Sequence, residues 1–111
     1  MDDLELKNLN EFIGTERYHN VMGIKCTDGV AYIMENGYSW FVTDSIAVII
    51  TKLKNQEFLS VSLKLKNNEA QMIITNGNEN VLYTQDYEYT DAKRELKLFC
   101  TNGVLMLNNE Y

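Results

Sequence analysis

The chain has 111 residues, of which 45% are hydrophobic, and a formal net charge of −6. That length and composition predict one packed domain over residues 1–111 and exclude a largely disordered chain. The acidic charge disfavours direct binding to nucleic-acid phosphates, and every apolar run is far shorter than the ~20 residues of a membrane-spanning helix. The first five residues also lack the basic and apolar regions of a secretory signal, so we predict a cytoplasmic protein.

The N-terminal region contains one clear helical pattern. Apolar residues recur at helical spacing over residues 2–13, and Gly14 follows as a helix terminator. These residues therefore predict a short first helix. Residues 15–26 have no firm assignment and fit either a short strand or an extended crossing.

Two further helices are predicted before residue 53. The sequence Thr-Asp-Gly at 27–29 is typical of a helix start, with Asp28 as the capping side chain, and predicts a brief helix over residues 30–35. The Asn-Gly pair at 36–37 ends it. Residues 39–52 are apolar almost all round, which predicts a buried central helix. The β-branched residues at 46–51 leave a strand as the alternative.

From residue 58 onward the pattern alternates with period two, which indicates half-buried strands separated by Asn- and Gly-containing turns. The predicted strands lie at about residues 58–66, 70–74, 81–89, 96–100 and 104–107. Helices followed by strands predict an α+β fold. We expect two or three N-terminal helices packed on an antiparallel β-meander of about four to five strands.

One group of residues suggests a metal site. His19, Cys26 and Asp28 lie close together in sequence, and Asp44 could approach from the following helix. Zinc accepts imidazole, thiolate and carboxylate ligands in a tetrahedral set. Asp44 also lies in an apolar helix, and a buried carboxylate needs a polar partner or a metal. The alternative places Asp44 at a polar edge and bonds His19 to the backbone.

Common catalytic signatures are absent from the sequence. It contains no phosphate-binding glycine-rich loop, no G-x-S-x-G nucleophile elbow and no C-x-x-C pair. The chain has a single histidine, His19, so any histidine-dependent chemistry would use that residue. We therefore predict a protein that is not an enzyme, with a small His19-dependent enzyme as an alternative.

A tyrosine-rich strand is the predicted partner-binding surface. Tyr83, Tyr87 and Tyr89 are predicted to share one face of it, and Asp86 and Glu88 lie between them in sequence. Tyrosine is enriched in protein interfaces, so this strand predicts contact with a partner. Packing of the tyrosines against the sheet is the alternative.

Three motifs carry a resemblance to known proteins. They are F-x-G-T-E-x-Y at 12–18, T-D-G-V-x-Y at 27–32 and W-x-x-x-D-x-I at 40–46. With these motifs the chain resembles an uncharacterised family of small bacterial and phage proteins. The polar positions implied by the resemblance are His19, Asp28 and Asp44, whereas Cys26 stands where an aromatic residue is usual. The family implies no catalytic assignment.

Size and acidity are similar to those of anti-CRISPR proteins, which act by stoichiometric binding. We therefore expect a non-catalytic phage or mobile-element protein that binds and inhibits a host protein in the host cytoplasm. Its narrowest form is an anti-CRISPR that blocks target-DNA loading by a Cas effector such as Cas9. The alternative function is a small zinc-binding domain in which the metal is structural.

Overall fold

The computed structural model describes residues 15–78, 80–90 and 92–111. The helix predicted over residues 2–13 lies outside these residues. In chain order, the described elements are β1 (His19–Val21), β2 (Ile24–Cys26), α1 (Asp28–Ile33), α2 (Ser39–Lys52), β3 (Phe58–Lys66), β4 (Glu69–Thr75), β5 (Val81–Tyr87), β6 (Leu96–Thr101) and β7 (Val104–Leu107). A short 3-10 turn, Asn108–Glu110, follows β7.

The predicted arrangement of helices on an antiparallel meander is wrong. Two of the described strands precede the helical region, and the seven described strands form one mixed sheet in the order β1-β2-β7-β6-β3-β4-β5. β2 pairs with β7 in parallel, while every other pair is antiparallel. The long strand β3 lies inside the sheet because its neighbours on both sides, β4 and β6, pair along most of its length.

The helical region is one segment with a kink rather than several separate helices. α1 and α2 are joined by a π-type turn, Met34–Tyr38, in which Asn36 and Gly37 leave helical geometry. Gly37 has a φ of 100°, a left-handed conformation that glycine adopts without steric cost. The kink therefore changes the direction of the chain just before α2 begins.

The start of α1 is held by the C-terminal turn. Thr27, rather than the predicted Asp28, caps the helix and accepts from the Val30 backbone N–H at 3.4 Å. The Thr27 hydroxyl also donates to Glu110 Oε1 at 2.6 Å. A Cβ on Gly29 would meet that same oxygen at 2.6 Å, so the close approach requires glycine. These contacts fix α1 against the chain end.

The core lies between the helical segment and one face of the sheet. On α2 the buried residues recur at helical spacing, whereas on β4 every second residue is buried. On β3 the alternate residues Leu59, Val61 and Leu63 are buried, together with Ser60. The largest fully buried side chains are Tyr38, Phe41, Ile33, Ile46, Leu59, Leu63, Met72, Ile74, Leu98, Leu105 and Val30.

Among the described helices, none is long and apolar enough to cross a membrane.

Candidate partner-binding site

A surface groove lies between the first turns of α2 and the end of β5. Its volume is about 350 Å³, and it is lined by Trp40, Asp44, Tyr87, Tyr89 and Thr90. We call it the aromatic groove. Tyr89 is 74% exposed, so one wall of the groove is open to solvent. The groove combines three aromatic rings with one carboxylate.

Local structure brings the α2 side of the groove together. Trp40 and Asp44 are four residues apart on α2, so they project from the same face of the helix. The indole N–H of Trp40 donates to the Gly37 carbonyl at 2.9 Å. The kink therefore both starts α2 and fixes the indole ring over the groove.

The β5 side is set by strand pairing. Tyr87 lies opposite the small residue Ala70 of β4, which leaves room for its ring on the helix side of the sheet. Beyond the strand, the Thr90 N–H donates to the Asn68 carbonyl at 2.8 Å and anchors the segment that carries Tyr89. β5 ends at Tyr87, so Tyr89 does not share its strand face as predicted, although it reaches the same groove.

Asp44 and Tyr87 join the two sides. The Tyr87 hydroxyl donates to Asp44 Oδ2 at 2.9 Å, and the Tyr87 and Trp40 rings meet edge to face with centroids 4.9 Å apart. Burial, followed by the hydrogen bond to Asp44, raises the pKa of Tyr87 well above its ordinary value. Tyr87 therefore remains protonated and acts as a hydrogen-bond donor. It is a polar partner of the kind that we expected Asp44 to need.

The other predicted partner-binding residues are Tyr83, Asp86 and Glu88, and they lie around the groove rather than in it. The Tyr83 ring is covered by Lys52, whose ammonium lies 5.3 Å from the ring centroid. Asp86 accepts from the Gln71 side chain at 2.9 Å, and with Glu88 it lines a cleft of about 460 Å³ at the β3–β4 turn. Tyr87 lines this cleft too, and so connects it with the aromatic groove.

His19 and Asp28 form the second polar cluster. His19 Nε2 lies 2.8 Å from Asp28 Oδ1, and the Glu16 backbone N–H donates to Asp28 Oδ2 at 3.0 Å. The Asp28 N–H in turn donates to the Thr15 hydroxyl at 2.9 Å. The hydrogen bond from His19, followed by that from Glu16, lowers the pKa of Asp28. The pair ties the segment before β1 to the start of α1.

The four predicted zinc ligands are not gathered at one place. Cys26 is fully buried, and burial raises the pKa of its thiol to about 12, so it is not a thiolate facing solvent. Asp44 is engaged with Tyr87, while His19 is engaged with Asp28. Within residues 15–78, 80–90 and 92–111, no group of three or more His, Cys, Asp or Glu is placed to hold a metal ion. Zinc binding stays a prediction, which metal analysis of protein purified without a His-tag tests.

Two features of the groove were not predicted from the sequence. Trp40 was placed in the core helix and in the W-x-x-x-D-x-I motif, but its spacing of four from Asp44 was not used to put the two side chains in one site. The link from Asp44 to Tyr87 joins residues 43 positions apart. It depends on where β5 lies in the sheet, which the strand patterns alone do not specify.

Comparison with known proteins identifies the family. The sequence model of DUF6876, a family of unknown function, matches residues 3–111. The chain belongs to this family. The resemblance to an uncharacterised family that the sequence motifs carry is thereby confirmed.

The fold of this DUF6876 chain is similar to a solved one. A crystal structure of a protein of unknown function from Enterococcus faecalis matches it with a TM-score of 0.56 and 16% identity. The match covers 78% of this chain and 87% of that chain. At this identity the likeness shows the fold alone. No curated protein matches the chain significantly.

Proposed function

We propose that this protein is a non-catalytic domain that binds a partner protein through the aromatic groove and the adjoining edge strand. The observation that carries the proposal is the open groove of about 350 Å³ with Trp40, Tyr87 and the 74% exposed Tyr89 on its walls. Exposed aromatic side chains lose little conformational entropy on binding and bury large areas, which is why they dominate interface energetics.

The neighbouring strand supports a protein partner rather than a small ligand. β5 is the last strand of the sheet, and among the described strands it pairs only with β4. Its first residue, Val81, is 57% exposed. The outer backbone groups of such an edge can pair with an extended segment of another protein. That segment would run directly past Tyr87 and Tyr89.

Net charge indicates the type of partner surface. The chain carries −6. The cleft that adjoins the groove is lined by the carboxylates of Glu69, Asp86 and Glu88 and by the ammonium groups of Lys64 and Lys66. A basic partner surface would be attracted to the acidic molecule as a whole and could form complementary contacts with these carboxylates.

Site-specific photo-crosslinking tests the proposal. A benzoylphenylalanine encoded in place of Tyr89 should crosslink one discrete protein in the organism that encodes the chain. The matched control carries it in place of Met22, which is 51% exposed in the turn between β1 and β2 at the opposite edge of the sheet. Equal products from both positions, or no product from position 89, would contradict the proposal.

Inhibition of a host protein is the narrower form of the proposal, with an anti-CRISPR acting on a Cas9-type effector as its most specific version. Small size and acidic charge support it, because such inhibitors act by stoichiometric occupation of basic nucleic-acid channels. A molar excess of the protein should then suppress target-DNA loading and cleavage. Undiminished cleavage by several effectors would contradict the anti-CRISPR version, whereas the general proposal of partner binding would not be affected.

A further inference from the structure

We infer that the aromatic groove binds one arginine side chain of the partner. This inference rests on the proposed function and specifies its chemistry. It is carried by a carboxylate that forms no ion pair with any of the described residues, two aromatic rings beside it, and a space of suitable size.

The unpaired charge is the carboxylate of Asp44. This side chain is half-buried, and its Oδ2 accepts from the Tyr87 hydroxyl at 2.9 Å. Within the part of the chain that the structure describes, no other group hydrogen-bonds to it and no Lys, Arg or His forms an ion pair with it. Partial burial makes a cation in contact with this carboxylate more favourable than at a fully exposed site.

The aromatic walls favour a cation at the same place. Trp40 and Tyr87 line the groove together with Asp44, and cations are attracted to the faces of such rings. Farther along β5, Lys52 already lies over Tyr83 at 5.3 Å. Lys52 thus already contacts the Tyr83 ring as a cation. Among the described residues, no cation lies over the rings of Trp40 or Tyr87, which have the Asp44 carboxylate beside them.

Arginine fits this set of groups better than lysine. Its planar guanidinium can stack on an aromatic ring while its N–H groups donate to a carboxylate, whereas an ammonium is a compact and strongly hydrated point charge. The groove volume of about 350 Å³ accommodates a single side chain and lies near the lower end of ligand pockets, roughly 300–1,000 Å³. The open Tyr89 side allows the backbone of a partner to remain outside.

Trp40 provides a direct test because it is the only tryptophan in the chain. The probe is the peptide acetyl-Gly-Arg-Gly-amide, and its neutral control contains citrulline, which has nearly the same shape. The arginine peptide should change the Trp40 emission saturably, with an affinity about 10-fold higher than that of the citrulline peptide, a difference of about 1.4 kcal/mol, because only arginine forms a charged hydrogen-bonded pair with the carboxylate.

Two variants locate the effect. Asp44→Asn removes the charge but keeps an oxygen that can accept from Tyr87, and it should weaken arginine-peptide binding about 10-fold. Glu57→Gln makes the same change in net charge at an exposed residue before β3, and it should leave binding unchanged. Matching circular dichroism spectra and unfolding midpoints would show that both variants are folded.

The inference is overturned if arginine and citrulline peptides bind equally, or if Asp44→Asn binds as well as the unaltered protein. Lysine-peptide binding as tight as arginine-peptide binding would also overturn it, as would no saturable change up to roughly 50 mM peptide. If benzoylphenylalanine at position 89 still crosslinks a discrete protein in any of these cases, the proposed function stands. If that crosslink is also absent, both the inference and the proposed function are contradicted.

Discussion

At the scale of single residues, two carboxylates of this chain are held by side chains that lie on other secondary-structure elements. Asp44 accepts from Tyr87, and Asp28 accepts from His19. Each carboxylate was a predicted zinc ligand because its partner could not be recognised from local sequence. The polar character of the positions could be predicted, whereas the choice between a metal and a hydrogen-bond donor depended on the tertiary fold.

Asp28 should make stability depend on pH in the acid range. Its pKa is lowered in the folded state, so its stabilising contribution is present above the unfolded value of about 3.9 and is lost as the pH falls through the folded pKa. Asp28→Asn should therefore be less stable than the unaltered protein above about pH 4, and the difference should shrink at lower pH. Urea unfolding between pH 6 and pH 2 measures this, and a deficit independent of pH would contradict it.

The two cysteines should be unreactive in the folded protein. Cys26 and Cys100 are both buried and unpaired with each other, and burial raises the pKa of each thiol, to about 12 for Cys26. Since the thiolate is the reactive form, Ellman's reagent should modify both thiols only after denaturation. Rapid modification of two thiols in native protein would show that the β2 and β6 positions are accessible.

At the scale of secondary-structure elements, patterns with long, uninterrupted periodicity were predicted well. The predicted helix over residues 39–52 has the observed bounds Ser39–Lys52, and the alternation at residues 58–66 gives β3, Phe58–Lys66. The strands β1 and β2 had no firm assignment, with a short strand as one of two alternatives for residues 15–26, because each has three residues, too few for an alternating pattern. Their turn also places Met22 at a φ of 54°, where the usual residues are Asn, Asp or Gly.

The order of the strands could not be predicted from these patterns. Alternation identifies a strand and its buried face, but it does not specify which neighbour the strand takes. Here β6 returns to pair with β3, and β7 pairs in parallel with β2. The groove could therefore not be predicted from the sequence, because it forms only where the first turns of α2 lie beside the end of the edge strand β5.

The kink before α2 should be sensitive to a side chain at residue 37. Gly37→Ala forces a Cβ into the left-handed region and should cost about 1–2 kcal/mol in the free energy of unfolding. Gly37→Asn should cost less, since asparagine tolerates this conformation better. Because the Gly37 carbonyl accepts from the Trp40 indole, the alanine variant should also alter Trp40 emission. Chemical denaturation followed by tryptophan fluorescence reports both, and an alanine variant as stable as the asparagine variant would contradict the argument.

At the scale of the whole molecule, the proposed binding features lie on one side. The edge strand, the aromatic groove and the acidic residues of the adjoining cleft meet around Tyr87. The helical segment packs against one face of the sheet, so Trp40, Asp44 and Tyr87 are held on regular elements, whereas Tyr89 lies on a segment anchored by the hydrogen bond from Thr90 to Asn68. A surface built in this way is preformed, which lowers the entropic cost of binding a partner.

The most direct test of this account is the dependence of partner capture on Asp44. Benzoylphenylalanine at position 89 would be combined with Asp44→Asn or with the charge-matched Glu57→Gln, and the yield of the crosslinked partner would be compared. We expect the yield to fall about 10-fold with Asp44→Asn and to be unchanged with Glu57→Gln. Equal yields from the two variants would show that the partner does not use the carboxylate of the groove.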